Sequence, residues 1–265
     1  MGKAIGIVSL KGGVGKTSTV VSLGAALAEF GKKVLLVDAN FSAPNLGLHL
    51  NIVDPEKSLF DVIDRSANFK DAIYDVNNLF HVLPAHLFNN KKINPFDLKK
   101  MLKTIKNKYD VILIDSSPSL NEETMAAMLA SDELLVVTTP DYVTLATTIK
   151  AVEDAKNSGV NVKGLILNKV RNKSFELSLK EIEEAAGVPV LAVIPDDVNV
   201  LRAQAEFLPA TIHKPNSKRS IEFKKLAACM TGEKYNEFHF NDLFNWVSPP
   251  QQAINREVYY KRVFK

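Results

Sequence analysis

The chain carries one cysteine, Cys229, among 265 residues. A single thiol excludes a disulfide framework and any multi-cysteine metal site within one chain, an iron–sulphur centre included. Set in the apolar stretch Leu226-Ala227-Ala228-Cys229-Met230, it reads as a small core residue. Long apolar runs are also missing. None approaches the ~18 residues of a membrane span, and no signal-peptide pattern opens the chain, so a cytoplasmic protein is expected. Excess charge is scarce. The formal net charge is +3, and residues 251–265 supply all of it, with Arg256, Lys261, Arg262 and Lys265 against Glu257. The rest of the chain sums to zero, which argues against a diffuse polyanion-binding surface. The dinucleotide fingerprint G-x-G-x-x-G is absent, as are internal repeats and low-complexity linkers. An apolar fraction of 46% is ample for a packed core.

What the chain does have is Lys11-Gly12-Gly13-Val14-Gly15-Lys16-Thr17. An apolar run, Ile5 to Leu10, leads in, and a helix-period stretch, Ser18 to Phe30, leads out. Strand, glycine-rich turn and helix is the setting that makes such a match a phosphate-binding hypothesis. Gly12, Gly13 and Gly15 let the backbone curl close to a ligand. Successive N–H groups then form a nest for phosphate oxygens at the positive end of the helix. In that geometry Lys16 reaches the β- and γ-phosphates, the Thr17 hydroxyl holds Mg²⁺, and Val14 and Ser18 complete the cradle. The strict G-x-x-x-x-G-K-[ST] pattern wants glycine where this chain has Leu10, and a second lysine, Lys11, follows. A glycine-rich turn with a chance lysine is the competing reading; the length of the motif and its place on a strand–helix junction argue against it.

Two more buried strands end in acids. Lys33 to Asp38 places Asp38 at a carboxyl end, the side where ligands bind in open α/β sheets. Tyr109 to Asp115, followed by Ser116-Ser117-Pro118, is a Walker B arrangement in which Asp115 holds Mg²⁺ through a water. An aspartate that merely caps the next turn is the alternative. Further strands are expected at 79–84, 133–139, 162–168 and 188–194, with helices from Ser58 through Arg65, over 144–157 and over 217–230, and a capping box at Ser178–Glu181. Lysines crowd residues 91–108. Leu98, Met101, Leu102 and Ile105 fall at helical spacing there, while Lys99, Lys103 and Lys106 fall largely elsewhere. A solvated outer helix face explains that pattern better than a nucleic-acid patch, since no aromatic platform is interleaved.

The loop K-G-G-x-G-K-T resembles the deviant Walker A loop of the MinD/ParA family of ATPases, and the likeness runs from residue 3 to about 230. The fold it implies is α/β, a mostly parallel twisted sheet with helices on both faces; the alternation of buried strands and amphipathic helices supports that independently. The resemblance further implies that Asp38 joins Thr17 and Asp115 around Mg²⁺ and, with Lys11, Lys16 and residue 40, serves hydrolysis. It implies that Asn168, with Arg171 close behind, meets the adenine edge, and that Pro195 and Asp196 lie against the base. MinD-like chains carry a second aspartate two residues after the first. Here that residue is Asn40, an amide that neither takes a proton nor carries charge, though its oxygen can orient a water. Either hydrolysis is slow, or another group holds the water, or the position is a substitution.

The resemblance implies a switch: an ATP-dependent homodimer in which Lys11 of each subunit reaches the other's phosphates, released on hydrolysis, that recruits a protein activator or cargo adaptor and positions cell machinery. Competing readings are a ParA-like DNA-segregation ATPase, disfavoured by the neutral body, and a scaffold that hardly hydrolyses. Residues 1–232 are read as the ATPase domain and 233–265 as an aromatic and basic extension. Phe240, Leu243, Phe244 and Val247 fit one helical face, read as packed back on the domain. Residues 251–265 resemble a membrane-targeting helix for an anionic surface, with peripheral attachment at the inner face of the cell membrane. Their apolar and basic residues separate poorly, and an arm docked on a partner subunit or a disordered tail are the alternatives.

Overall fold

Runs that are apolar on both sides become strands, as a sheet covered on both faces requires. In the computed structural model these are β1 (Lys3–Val8), β2 (Val34–Ala39), β3 (Tyr74–Val76), β4 (Phe80–Leu83), β5 (Val111–Ser116), β6 (Glu133–Thr138), β7 (Asn161–Val170) and β8 (Val190–Pro195). The structure describes residues 2–87, 94–233, 235 and 249–264. The strands form one sheet in the order β3-β4-β2-β5-β1-β6-β7-β8. Among the described strands only β3 runs antiparallel to its neighbour. The chain winds outward from β1 in both directions, so a crevice opens at the carboxyl ends of the central strands. The register pairs Asp38 of β2 with Asp115 of β5, and Ile7 of β1 with the same Asp115.

Alternate strand residues feed the two faces. Ile5, Ile7, Leu36 and Leu113 pack under α1 (Lys16–Glu29) and a later helix that includes Phe223 and Leu226. On the other face Leu35, Val37, Ile112 and Ile114 meet α2 (Leu59–Ile63), α3 (Pro95–Ile105) and α4 (Glu122–Ala130). Val136, Leu165 and Leu167 meet α5 (Tyr142–Asn157) and α6 (Leu179–Ala186). Two short helices, α7 (Asn199–Ala205) and α8 (Ala210–His213), lead into α9 (Lys218–Thr231).

Most expected elements sit within two residues of their expected bounds. In α3 the residues Leu98, Met101, Leu102 and Ile105 are buried while Lys99, Lys100 and Lys103 face solvent, as a solvated outer face requires. The Ser178–Glu181 capping box forms in both directions. Helix α2 is shorter than expected. The Asp61 carboxylate accepts from the Ser58 N–H and hydroxyl at its start, but the helix stops at Ile63 because Arg65 turns left-handed, with φ 61°.

Within residues 251–265, Gln251–Phe264 form a helix, α10, as the expected tail helix would, and it lies on β8 and α9 of its own chain. Asn255 donates to the Val190 carbonyl at 2.8 Å, and Arg256 donates to the Leu191 carbonyl at 2.8 Å and to Glu222 at 2.6 Å. Tyr259 is buried, and its hydroxyl donates to Glu133 at 2.8 Å. Arg256 and Tyr259, counted in sequence among the groups offered to a membrane, are therefore spent on the domain. The apolar face expected of Phe240, Leu243, Phe244 and Val247 lies outside the described residues. Among the described residues no helix is long and apolar enough to cross a membrane.

Candidate functional site

The loop that leaves β1 bends back into α1 through two left-handed glycines, Gly13 at φ 77° and Gly15 at φ 93°. Only glycine takes such angles without strain. Gly15 is also required for space, because a Cβ there would stand 2.4 Å from Nδ2 of Asn168. The loop floors a cavity of about 330 Å³ whose walls include Gly12, Gly13, Gly15, Lys16, Thr17 and Ser18. α1 begins here, so its unpaired N–H groups and its positive end face the cavity. Lys16 is 7% exposed. Burial pulls its ammonium pKa down, and Asp115 nearby pulls it back up.

The carboxylates lie behind the loop. Asp115 accepts from the Thr17 hydroxyl at 2.6 Å through one oxygen, while its other oxygen, Oδ1, is buried without a partner. Asp38 is fully buried and accepts backbone N–H groups from Asn40, Asn45 and Leu46 at 2.9–3.1 Å. It thereby folds the segment after β2 into a wall of the cavity. Burial, and then the charge of Asp115, raises the Asp38 pKa; burial raises that of Asp115 against the pull of Thr17 and Lys16. Two buried carboxylates on adjacent strands oppose each other's charge, and a divalent cation beside them would favour the ionised forms. The orphaned Asp115 oxygen beside the Thr17 hydroxyl fits a magnesium site. Among the described residues no cluster of three His, Cys, Asp or Glu side chains forms a metal cage, so a cation there would share its shell with phosphate oxygens or water.

Asn40 is 4% exposed and lines the cavity. Its Nδ2 donates to the Ala43 carbonyl, while its Oδ1 is buried with no partner. The amide is thus held by one end and offers the other, a lone acceptor able to orient a water.

Not every expected residue meets the cavity. Asn168 does, with its Nδ2 donating to the Val14 carbonyl at 2.7 Å. Val14 itself is buried beneath the loop. Lys11 turns away from the phosphate cradle. Its ammonium donates to the Thr144 hydroxyl at 2.7 Å and lies 3.4 Å from Asp141. Burial works against the Asp141 charge, but hydrogen bonds from Thr139, Thr144 and Lys11 outweigh it and hold the carboxyl pKa down at about 2. Arg171 is also outside, paired with Asp196 at 2.7 Å in a neighbouring depression beside Lys11 and Asp141. Pro195 reaches the site only through its carbonyl, which accepts from Arg219 at 3.3 Å.

Sequence reasoning missed several wall residues. Arg219, His49, Gln204, Val200 and Leu201 all line the cavity. His49 and Gln204 close it by a 2.7 Å contact between the segment after β2 and α7. Lys169 steadies the loop through the Gly13 carbonyl at 2.7 Å. None sits in a motif; each is brought in by an element far away in the chain.

Comparison with known proteins finds relatives over most of the chain. A family model described as an AAA domain matches residues 2–163. An uncharacterised ATP-binding protein of Methanocaldococcus jannaschii is 36% identical over 237 residues, covering 89% of this chain and 90% of the relative. The crystal structure of the Pyrococcus furiosus cell division ATPase MinD is 37% identical and superposes with a TM-score of 0.82, over 88% of this chain and 99% of that one. The septum site-determining protein MinD of Pyrococcus horikoshii OT3, solved as a complex with Mg-ADP, is 37% identical at a TM-score of 0.80, over 86% and 95%.

Proposed function

This chain belongs to the MinD/ParA family of P-loop ATPases, and on that premise we propose that it binds Mg·ATP at residues 11–18, dimerises with it, hydrolyses it slowly and uses the cycle to recruit a protein partner. The observation that carries the reading is the continuity of one cavity. The α1 N-terminus with Lys16 and Thr17, Asn40 and Asn168 all line it, which supports a triphosphate and its base sharing a single groove.

Thr17 and Asp115 are the groups that would hold Mg²⁺, which when bound would supply positive charge against the phosphates. Lys16, desolvated below the loop, places its ammonium against the same oxygens. Asp38 keeps the segment carrying Asn40 at the phosphate end. Asn40 Oδ1 accepts a hydrogen bond from the attacking water but cannot take its proton, and slow turnover follows. Support for a cross-subunit role of Lys11 is that it is not spent on its own cradle. Tyr142 and Val143, beside its resting place, are exposed apolar residues.

Recruitment to an anionic membrane through 251–265 would have to use the face that the docked α10 leaves exposed, with Ile254, Val258 and Lys261, since Arg256 and Tyr259 are turned to the domain. A protein partner makes no such demand, so it is the reading favoured here. A DNA-segregation role would need a basic face assembled only in the dimer.

The test is calorimetric titration of Mg·ATP. The parent binds, and Lys16→Ala loses binding by at least about a hundredfold, the scale of a desolvated charge-assisted contact. An unchanged affinity in Lys16→Ala would remove the reading.

A further inference from the structure

Arg219 enters the cavity from the first turn of α9 and is 3% exposed. Its NH1 donates to Oδ1 of Asn168 at 3.0 Å and to the Pro195 carbonyl at 3.3 Å. Its guanidinium carbon lies 5.3 Å from the ring centroid of the fully buried Phe223, one helical turn on. Nε is buried and finds no acceptor. Burial lowers the pKa of the group to about 10, against the opposing pull of Asp197 and Asp196, so it stays charged at neutral pH.

The consequence falls on Asn168. A carboxamide can present its oxygen or its nitrogen to a given neighbour, and the two orientations read different ligands. Here both neighbours have fixed sign. The Val14 carbonyl can only accept, and the Arg219 guanidinium can only donate. One hydrogen bond would be a pivot, because the terminal amide torsion is broad; two fix the plane. One Nδ2 hydrogen and one Oδ1 lone pair are thereby used, and one of each remains. A free donor beside a free acceptor matches adenine, which offers N7 as acceptor and N6–H as donor. It mismatches guanine, whose O6 and N7 both accept.

We propose that Arg219 is a positioning residue that locks the Asn168 amide in its adenine-reading orientation and so sets the preference for ATP over GTP. The proposal rests on the reading of Asn168 as the base contact, which the resemblance implies. Base choice then depends on where α9 starts relative to the end of β7, outside the phosphate-loop motif altogether.

The experiment measures the affinities of Mg·ATP, Mg·GTP and inorganic tripolyphosphate for the parent, Arg219→Met, Arg219→Gln, Arg219→Lys and Asn168→Ala. Each variant is checked by thermal melting. The expected parent prefers ATP by about tenfold or more, the range of one good bidentate base contact. Arg219→Met and Arg219→Gln lose most of that ratio while tripolyphosphate affinity stays within about twofold. Arg219→Lys, still a donor only, keeps more of the ratio than Arg219→Gln, whose amide can face Asn168 with either atom. Should Arg219→Met not fold, the Gln and Lys pair carries the same comparison. A parent-like ratio in Arg219→Gln, with the ratio lost in Asn168→Ala, would overturn the proposal and leave the base contact standing. A ratio kept in Asn168→Ala would overturn both. Equal loss of all three ligands in the Arg219 variants would make Arg219 a structural residue and overturn the proposal.

Discussion

Asn40 and Asp38 stand two residues apart and ask opposite things of the site. Asn40 is held by Nδ2 and presents an unpartnered Oδ1, so Asn40→Asp replaces a weak acceptor by a charged one in the same place. Single-turnover hydrolysis, with no partner present, is expected to rise by about a hundredfold in the variant, the lower end of what a positioned base contributes. A rate equal to or below the parent's would mean that another group holds the water. Asp38 makes a pH prediction. Burial first, and Asp115 second, raise its pKa to about 8 in the folded chain, against 3.8 ordinarily. Between those values the folded state binds more protons than the unfolded one, so stability falls as pH rises through the window. Urea unfolding of the nucleotide-free protein in chelator is expected to show lower stability at pH 8 than at pH 5. Asp38→Asn flattens that slope, and a parent without a slope would show that the pair ionises freely. The phosphate loop and both aspartates were legible in the sequence because the motif is local and each strand announces its own end. Arg219 was not, since its partner Asn168 lies 51 residues away and nothing in a run such as Ser217-Lys218-Arg219-Ser220 says what its arginine faces.

Among elements, the strands buried on both sides could be read from composition alone. β3 escaped because it has three residues and one buried side chain; its one local cue was the turn pair Asn77-Asn78, both left-handed. α10 was legible as a helix-forming tail but not as a docked one. Its face mixes Arg256 with Tyr259, which resembles poor amphipathicity until Glu222 and Glu133 are in view. Arg256 and Glu222 are 11% and 12% exposed at 2.6 Å, so removing one partner strands a desolvated charge. Arg256→Met is therefore expected to lower unfolding stability by about 3 kcal/mol, and Glu222→Leu combined with Arg256→Met to recover most of it. Urea midpoints of the three chains measure both. A single variant as stable as the parent would mean that α10 is not docked in solution.

At the scale of the molecule, Lys11 links the site to assembly. Its pair with Asp141 is substantially exposed, at 35% and 46%, and pairs of that kind contribute at most about 1 kcal/mol. Releasing it towards a second subunit is cheap. Lys11→Ala is expected to bind Mg·ATP within about threefold of the parent yet to stay monomeric with a slowly hydrolysed analogue, where the parent doubles in mass by light scattering. A dimeric variant would remove the cross-subunit role. The docking of α10 reaches further than the stability it adds. Among the described residues, β8 has a strand neighbour on one side only. On the other, Asn255 and Arg256 meet the carbonyls of Val190 and Leu191, and Glu222 accepts from the Val193 N–H. Helix side chains stand in for a ninth strand, and the sheet's long margin is sealed against recruiting one from another molecule. Any partner or surface that captured this tail would leave a bare template for intermolecular pairing. The tail is therefore a poor handle and a good guard: whatever draws it away has to shield the margin in its place, or the freed molecules would join edge to edge.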